Sequence, residues 1–414
     1  MKHRVFSPMA PLAPITLLII ALALLFIATG CVVERKKGTS ARQSALLKIH
    51  PWSFPDFKDD LPYDSLESGI LKSIDYFKKK PKDALFQFGP DYFDTSRMLK
   101  SLDLFLDFIR QKPSAKQLKK FIRANYMVYG SAGNKKPKRV LFTGYFEPVF
   151  PGSPTKDDVY KFPVYSRPTD LMSIDLAPFS SEYKGKRIIA RHDGETIVPY
   201  FDRENITTQN ALDGKAHPIA WLKDPVDIFF LQIQGSGKAI FENGQTLSLR
   251  YDSQNGQPYR SIGKLLIETD RIPRSEMSMQ RIRAYLEKNP DQMRDVLNHN
   301  PSYVFFRKGE TEYPKGCIDV ELTPGRSIAT DRRMFPQGAL MFVKTQKPVI
   351  NGDGDIASWT DMSRFALNQD TGGAIRGPGR ADIFFGDGKN AELAAGHMQH
   401  KGRLYFLVAK KTNE

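Results

Sequence analysis

Cysteine is nearly absent from this chain: Cys31 and Cys317 are the only two in 414 residues. A disulfide framework is therefore excluded, and the fold has to rest on a packed core. Histidine is also scarce. The pair His397 and His400 has no carboxylate or cysteine close by in sequence, so surface histidines are expected and no metal site. There is no G-x-S-x-G elbow for a serine hydrolase, no P-loop lysine-serine and no Rossmann glycine spacing. Asp-Thr-Gly occurs once, at Asp370–Gly372; aspartic-protease chemistry needs two such carboxylates, so it would require a symmetric dimer. Internal repeats and low-complexity tracts are lacking. The apolar run from Ile15 to Ala28 falls short of the roughly 20 residues that span a bilayer.

What is present at the N-terminus reads as a processing segment. Lys2 and Arg4 give a positive start, the apolar run follows, and Ala28-Thr29-Gly30-Cys31 resembles a bacterial lipobox. Cleavage before Cys31 would leave residues 1–30 as signal peptide and Cys31 as the lipidated residue, anchored by several acyl chains. Val32 follows, where an acidic residue usually signals inner-membrane retention, so the expected location is the periplasmic face of the outer membrane. Residues 31–44 carry charge and few large apolar groups and read as a tether. The formal charge of +15 falls by Lys2 and Arg4 to +13 in the mature chain. Such a charge suits an acidic polymer. Nucleic acid is a poor partner for a secreted lipoprotein, and a peptide-bearing wall polymer with free carboxylates is a better one.

With 41% hydrophobic residues the remainder can bury a sizeable core. Three amphipathic helices are expected first. Leu66, Ile70, Ile74 and Phe77 recur at helical spacing after a cap at Asp64-Ser65. Met98, Leu102, Leu106 and Ile109 follow Asp94. Leu118, Phe121 and Ile122 are entered through Pro113-Ser114. From Arg139 the texture turns to short β-prone runs broken by Gly and Pro, which favours a barrel or closed sheet. Among these runs are Val140–Phe146, Ile228–Gln234, Leu340–Val343 and Leu404–Val408. A helical island at Ser275–Asn298 breaks at Asn289-Pro290, and strands resume at Tyr303. Proline-containing stretches near 151–163 and 298–301 bracket a segment that could be an inserted domain.

The strongest chemical signal is the stretch Asn368 to Gly386, N-Q-D-T-G-G-A-I-R-G-P-G-R-A-D-I-F-F-G. It carries two carboxylates, Asp370 and Asp382, on either side of a glycine-rich connection. On a strand, Ala381, Ile383 and Phe385 point one way and Asp382 the other, a suitable place for a proton donor. A tight turn with surface aspartates is the competing reading. In F-T-G-Y-F-E-P, from Phe142 to Pro148, an aromatic beside glycine could stack on a sugar ring, with Thr143 or Glu147 bonding hydroxyls. In the run ending Gln232-Ile233-Gln234-Gly235-Ser236-Gly237, Gln232 and Gln234 would share one strand face before an exposed Gly-Ser-Gly loop. Asp331, after L-T-P-G-R-S-I-A-T, is a third carboxylate, or simply part of a turn.

In their order and combination these segments resemble the membrane-bound lytic murein transglycosylase A family, over about residues 45 to 410. The resemblance rests on the lipobox, F-T-G-Y-F-E-P, I-Q-G-S-G, Y-R-S-I-G from Tyr259, L-T-P-G-R-S-I-A, and the Q-D-T-G-G-A-I-R-G…A-D-I-F-F-G block. It implies a mainly β fold with N-terminal helices: a double-psi β-barrel catalytic domain from 45–149 and 301–414, an inserted smaller β-rich domain at 150–300, and a substrate groove between them. It implies Asp382 as the catalytic acid and Asp370 as its auxiliary. Thr143, Tyr145, Gln234, Ser236, Gly237 and Asp331 are the candidate substrate-binding residues, Asp331 being the one more plausibly structural. Cys317 to Glu321 and Arg332 depart from the family texture.

The implied activity is cleavage of the β-1,4 bond between N-acetylmuramic acid and N-acetylglucosamine in peptidoglycan, with 1,6-anhydro ends. One aspartate suffices because the sugar's own 6-hydroxyl attacks. No cofactor is needed. The implied partners are the glycan strands, the membrane through Cys31, and wall-synthesis complexes that the residues do not specify. A non-catalytic peptidoglycan-binding lipoprotein and an ordinary hydrolase are the alternatives.

Overall fold

The computed structural model describes residues 42–133, 139–373 and 375–411, which fall in the compact unit Ala41–Glu414. The signal peptide, Cys31 and nearly all of the 31–44 tether lie outside the described residues. The N-terminal part runs β1 (Leu46–Ile49), α1 (Tyr63–Lys78), the hairpin β2 (Leu85–Phe88) and β3 (Asp91–Asp94), α2 (Thr95–Ile109), α3 (Ala115–Asn125), β4 (Tyr126–Ser131) and β5 (Val140–Glu147). Asp94 caps α2 by accepting from the Arg97 N–H, and Ser114 with Gln117 forms a capping box on α3. The expected cap at Asp64-Ser65 is not used. α1 begins after Pro62, and Ser65 instead donates its hydroxyl to the Pro62 carbonyl. The apolar stripes of all three helices are buried, Phe121 partly so, as their spacing predicts.

The middle of the chain follows as β6 (Val149–Ser153), β7 (Phe162–Tyr165), β8 (Met172–Asp175), β9 (Arg187–His192), β10 (Ile197–Pro199), α4 (Arg203–Thr208), β11 (Pro218–Leu222), α5 (Pro225–Gln234), β12 (Ser236–Ile240), β13 (Thr246–Gln254), α6 (Ile262–Glu268), α7 (Met279–Lys288), α8 (Pro290–Asn298) and β14 (Val304–Lys308). Six of these strands form one sheet, ordered β14-β13-β12-β6-β11-β7, while β8 to β10 form a small second one. The sheet takes in β14, four residues beyond the expected boundary at 300. The run Ile228–Gln234, expected as a strand, is the body of α5. Asp224 caps it by accepting from the Val226 N–H, Pro225 occupies its first turn, and Gly235 ends it in the left-handed region at φ 76°. Gln232 and Gln234 therefore do not share a strand face.

The C-terminal part supplies β15 (Ser327–Ala329), β16 (Leu340–Ile350), β17 (Ile356–Asp370), β18 (Arg380–Asp387), α9 (Gly388–His397) and β19 (Gln399–Ala409). The strands run in the order β19-β16-β17-β15-β18-β5, and β5 pairs back onto β19, so six strands close into a barrel. β4 and β1 extend from β19 outside that ring. The architecture is the mainly β fold expected: a barrel built from both ends of the chain, with a β-rich insert between β5 and β15. Gly402 is where β19 crosses close to β16; a Cβ there would stand 2.1 Å from the Lys344 carbonyl oxygen.

Arg326, of the L-T-P-G-R stretch, ties the segment before α1 to the barrel. Its guanidinium is fully buried and donates to Asp59 Oδ2 at 2.7 Å, the Phe365 carbonyl at 2.8 Å, the Pro62 carbonyl at 2.9 Å and Ser65 Oγ at 3.0 Å. Nearby, Phe57, Phe342 and Phe365 pack in mutual contact, and Phe105 of α2 seats on Phe365 at 4.8 Å. Each such ring contributes roughly 1.5–3 kcal/mol by its burial.

Candidate active site

β15 sets the geometry of the site. Its Ala329 is in register with Asp370 of β17 on one side and with Asp382 of β18 on the other. The two aspartates thus stand two strands apart, about 10 Å between backbones by strand spacing. Both line a cavity of about 740 Å³. Barrel residues Tyr145, Phe384 and Ile375 form one wall, and insert residues Ile233 to Ser236, Arg250 and Tyr251 face them. The cavity is a groove between barrel and insert.

Asp382 alternates with buried Ala381 and Ile383, as the sequence pattern predicts. β5 runs parallel beside it and places Thr143 directly opposite. The Thr143 hydroxyl donates to Asp382 Oδ1, and Arg380 Nη2 donates to the same oxygen at 3.3 Å and to Thr143 Oγ1 at 3.1 Å. Among the described residues nothing donates to Asp382 Oδ2, and the residue lines the open cavity. That oxygen is available to a ligand.

Asp370 is held differently. Oδ1 accepts from the backbone N–H of Thr371 at 2.8 Å and of Cys317 at 3.1 Å, and Oδ2 accepts from the Tyr145 hydroxyl at 2.9 Å. Burial pushes its carboxyl up from the usual value, and the nearby Asp382 adds to the rise. Burial, then the Asp370 charge, pushes the Tyr145 phenol well above its usual value, so it stays a donor. The residues before Asp370 are fixed by buried amides. Gln369 donates to the Gly69 carbonyl and Ser73 Oγ, and Asn368 to the Pro336 carbonyl, at 2.8–2.9 Å. The Gln369 bonds reach across the chain to α1 and the Asn368 bond reaches the segment between β15 and β16, so together they position the end of β17 from behind.

Of the remaining candidates, Gln234 and Ser236 line the cavity. Gly237 does not: it packs where a Cβ would come within 2.6 Å of Leu231 and 3.1 Å of the Pro148 carbonyl. Asp331 also lies off the cavity lining, buried beneath the glycine-rich connection. It accepts from Arg333 Nε at 2.9 Å, Arg333 Nη2 at 2.7 Å and the Gly377 N–H at 2.8 Å. The Arg333 side chain foremost, with those N–H groups, holds its carboxyl well below the usual range. Its place is that of a brace for the connection at Gly377. Glu147, expected to reach sugar hydroxyls, is 1% exposed and paired with Arg250, so it faces the protein. Arg380 and the Cys317 N–H were missed. Arg380 lies two residues before Asp382 and so on the same strand face, a signal the sequence did carry. The Cys317 contact is a backbone one at a sequence separation of 53, which no side-chain pattern reveals.

Residues 141–307 match the family model described as the MltA specific insert domain, and residues 326–408 match the 3D domain model. Membrane-bound lytic murein transglycosylase A of Vibrio cholerae serotype O1 is 32% identical over 279 residues, 66% of this chain and 67% of the relative. The protein of the same name from Escherichia coli K12 is 31% identical over 270 residues, 65% of each. The chain belongs to the membrane-bound lytic murein transglycosylase A family. Solved structures agree with that placement. MltA of Neisseria gonorrhoeae superposes with a TM-score of 0.70 at 28% identity, covering 88% of this chain and 92% of that one. The membrane-bound lytic murein transglycosylase of Agrobacterium tumefaciens gives 0.66 at 27%, covering 88% and 98%. Membership makes the chain a peptidoglycan lytic transglycosylase.

Proposed function

We propose that this chain cleaves the β-1,4 bond between N-acetylmuramic acid and N-acetylglucosamine with Asp382 as a single acid and base, leaving 1,6-anhydro-N-acetylmuramic ends. The observation that carries this is the contrast between the two carboxylates. Asp382 has one oxygen held and one open to the groove, whereas Asp370 has both oxygens engaged by donors.

In the proposed reaction Asp382 gives its proton to the glycosidic oxygen as the bond to the muramic anomeric carbon breaks. An oxocarbenium-like centre forms. Thr143 and Arg380 stabilise the carboxylate left on Asp382. That carboxylate then takes the proton of the same sugar's 6-hydroxyl, whose oxygen closes on the anomeric carbon. No water is consumed, and the attack gains from being intramolecular. Tyr145 and the two N–H groups hold Asp370 as an auxiliary beside the substrate. Gln234 and Ser236 contribute polar groups from the insert wall. The two ends of the chain, expected as 45–149 and 301–414, form the catalytic domain, except that β14 (Val304–Lys308) belongs to the insert that closes the groove. Lipidation at Cys31 would hold the enzyme on the periplasmic face of the outer membrane.

One observation favours a second reading. Glu310 also lines the groove and is exposed, so it could serve as the water-activating base of an inverting hydrolase. The two readings differ in product. Purified peptidoglycan treated with the chain lacking residues 1–31 is expected to yield muropeptides lighter by one water than hydrolysed ones. Glu310→Gln is expected to leave that product unchanged. Full-mass reducing ends that disappear in Glu310→Gln would replace the proposal with hydrolysis.

A further inference from the structure

A second cleft of about 850 Å³ lies on the barrel wall and shares no lining residue with the groove. Five cations line it: Lys58, Arg139, Lys344, Lys401 and Arg403. None of the five forms an ion pair among the described residues. Two acids share the lining, but Asp60 is already paired with Arg364 and Lys347, which leaves Asp361 alone. Lys344 and Arg403 are directly opposite in the β16–β19 register, a like-charge placement that costs stability unless an anion lies between or above them. Thr345 also lines the cleft. Its side chain is 7% exposed, and its hydroxyl has no partner among the described residues. The cleft has the makings of an anion site: five cations outside any ion pair, against one acid that is not already paired.

Its surroundings indicate the source of the anion. Arg403, Tyr405 and Ser53 also line a neighbouring basin formed by Leu47, Lys48 and His50 of the chain's first described strand and turn. Trp52, in that turn, is 80% exposed, and Leu47 is exposed too. An exposed tryptophan beside a field of Lys and Arg is the composition of a surface that rests among lipid headgroups. The first described residue, Arg42, is eleven positions after Cys31. By chain length alone, a lipid at Cys31 would keep Arg42 within about 40 Å of a bilayer.

We propose that this cleft and the Trp52 turn dock the enzyme on phosphate headgroups of anionic phospholipid. The proposal rests on the lipid-anchor reading for its orientation. Electrostatic attachment of this kind adds about fivefold in affinity per basic residue.

The test uses residues 32–414, which keep the whole compact unit but carry no anchor, so binding cannot come from acylation. Sedimentation with phosphatidylcholine vesicles containing phosphatidylglycerol should carry the protein down, and vesicles of phosphatidylcholine alone should not. The double variant Lys344→Glu/Arg403→Glu should bind at least about tenfold more weakly, while cleaving soluble glycan strands at the same rate. That unchanged rate shows the variant is folded. A milder pair, Lys58→Gln with Lys401→Gln, should lose affinity in the same sense. Equal binding by wild type and both variants, or no binding to anionic vesicles, would overturn the proposal. Displacement of the protein from vesicles by free stem peptides would also overturn it, in favour of wall carboxylates as the partner. Mass measurement of Cys31 in full-length protein from membranes reads the anchor separately. Glycan cleavage in the same samples reads the catalytic proposal separately.

Discussion

The buried carboxyl of Glu147 should make the stability of the fold fall as pH rises through neutrality. Glu147 ends β5 at the junction with the insert, 1% exposed, and pairs with Arg250 of β13, while Lys238 of β12 pairs with Asp387 of β18 beside it. Its Oε2 has no hydrogen-bond partner among the described residues. Burial pushes the carboxyl from its ordinary 4.5 to about 7, against the pull of Arg250 and Lys238. A raised acid keeps its proton in the folded state after the unfolded state has lost it. Between about 4.5 and 7 the folded state therefore binds more protons, and stability falls as pH rises. The size of that loss from this one group is about 3 kcal/mol, as an order of magnitude. Glu147→Gln mimics the protonated form at every pH. Its stability relative to wild type should improve by about 3 kcal/mol from pH 4.5 to pH 8. Urea denaturation of both proteins across that range measures it. If the variant instead loses stability relative to wild type as pH rises, Glu147 is a charged partner of Arg250 throughout and the reasoning is wrong.

Three further outcomes are expected. Arg326→Met should cost about 3–5 kcal/mol in denaturant unfolding, because Asp59 is left buried without its main partner, and Asp59→Leu in the same chain should restore much of it. Gly402→Ala should destabilise by about 1–3 kcal/mol or more, since its Cβ would meet the Lys344 backbone; an unchanged unfolding midpoint would mean the strand crossing is looser than described. Tyr145→Phe should lower kcat about tenfold with little change in KM, by freeing Asp370 Oδ2, and should cost about 1–3 kcal/mol in unfolding; a change confined to KM would make Tyr145 a substrate contact instead.

Much of this was legible in the sequence where the signal is local. The strand alternation of Ala381, Asp382 and Ile383 is present and turns Asp382 away from the buried face, and three helical stripes gave three helices. The run Ile228–Gln234 misled because a short apolar stretch fits a buried helix as well as a strand. The decisive marks, Asp224-Pro225 before it and Gly235 after it, are helix punctuation that outranks β-prone composition. Asp331 and Gly237 show the other limit. A motif residue can sit next to the site in sequence and serve it only through packing, Asp331 by holding the Gly377 N–H and Gly237 by letting β12 approach Pro148. Arg326 and the Cys317 N–H act over separations of 267 and 53 residues, and nothing local in a chain announces such contacts.

The central claim is that Asp382, and not Asp370, transfers the proton. It is tested most directly by single-turnover cleavage of glycan strands by Asp382→Asn and Asp370→Asn side by side. Asp382→Asn is expected to lose at least about 10²-fold in rate with strand binding retained. Asp370→Asn is expected to keep measurable turnover and still release anhydro ends. Turnover that survives in Asp382→Asn but vanishes in a folded Asp370→Asn would contradict it.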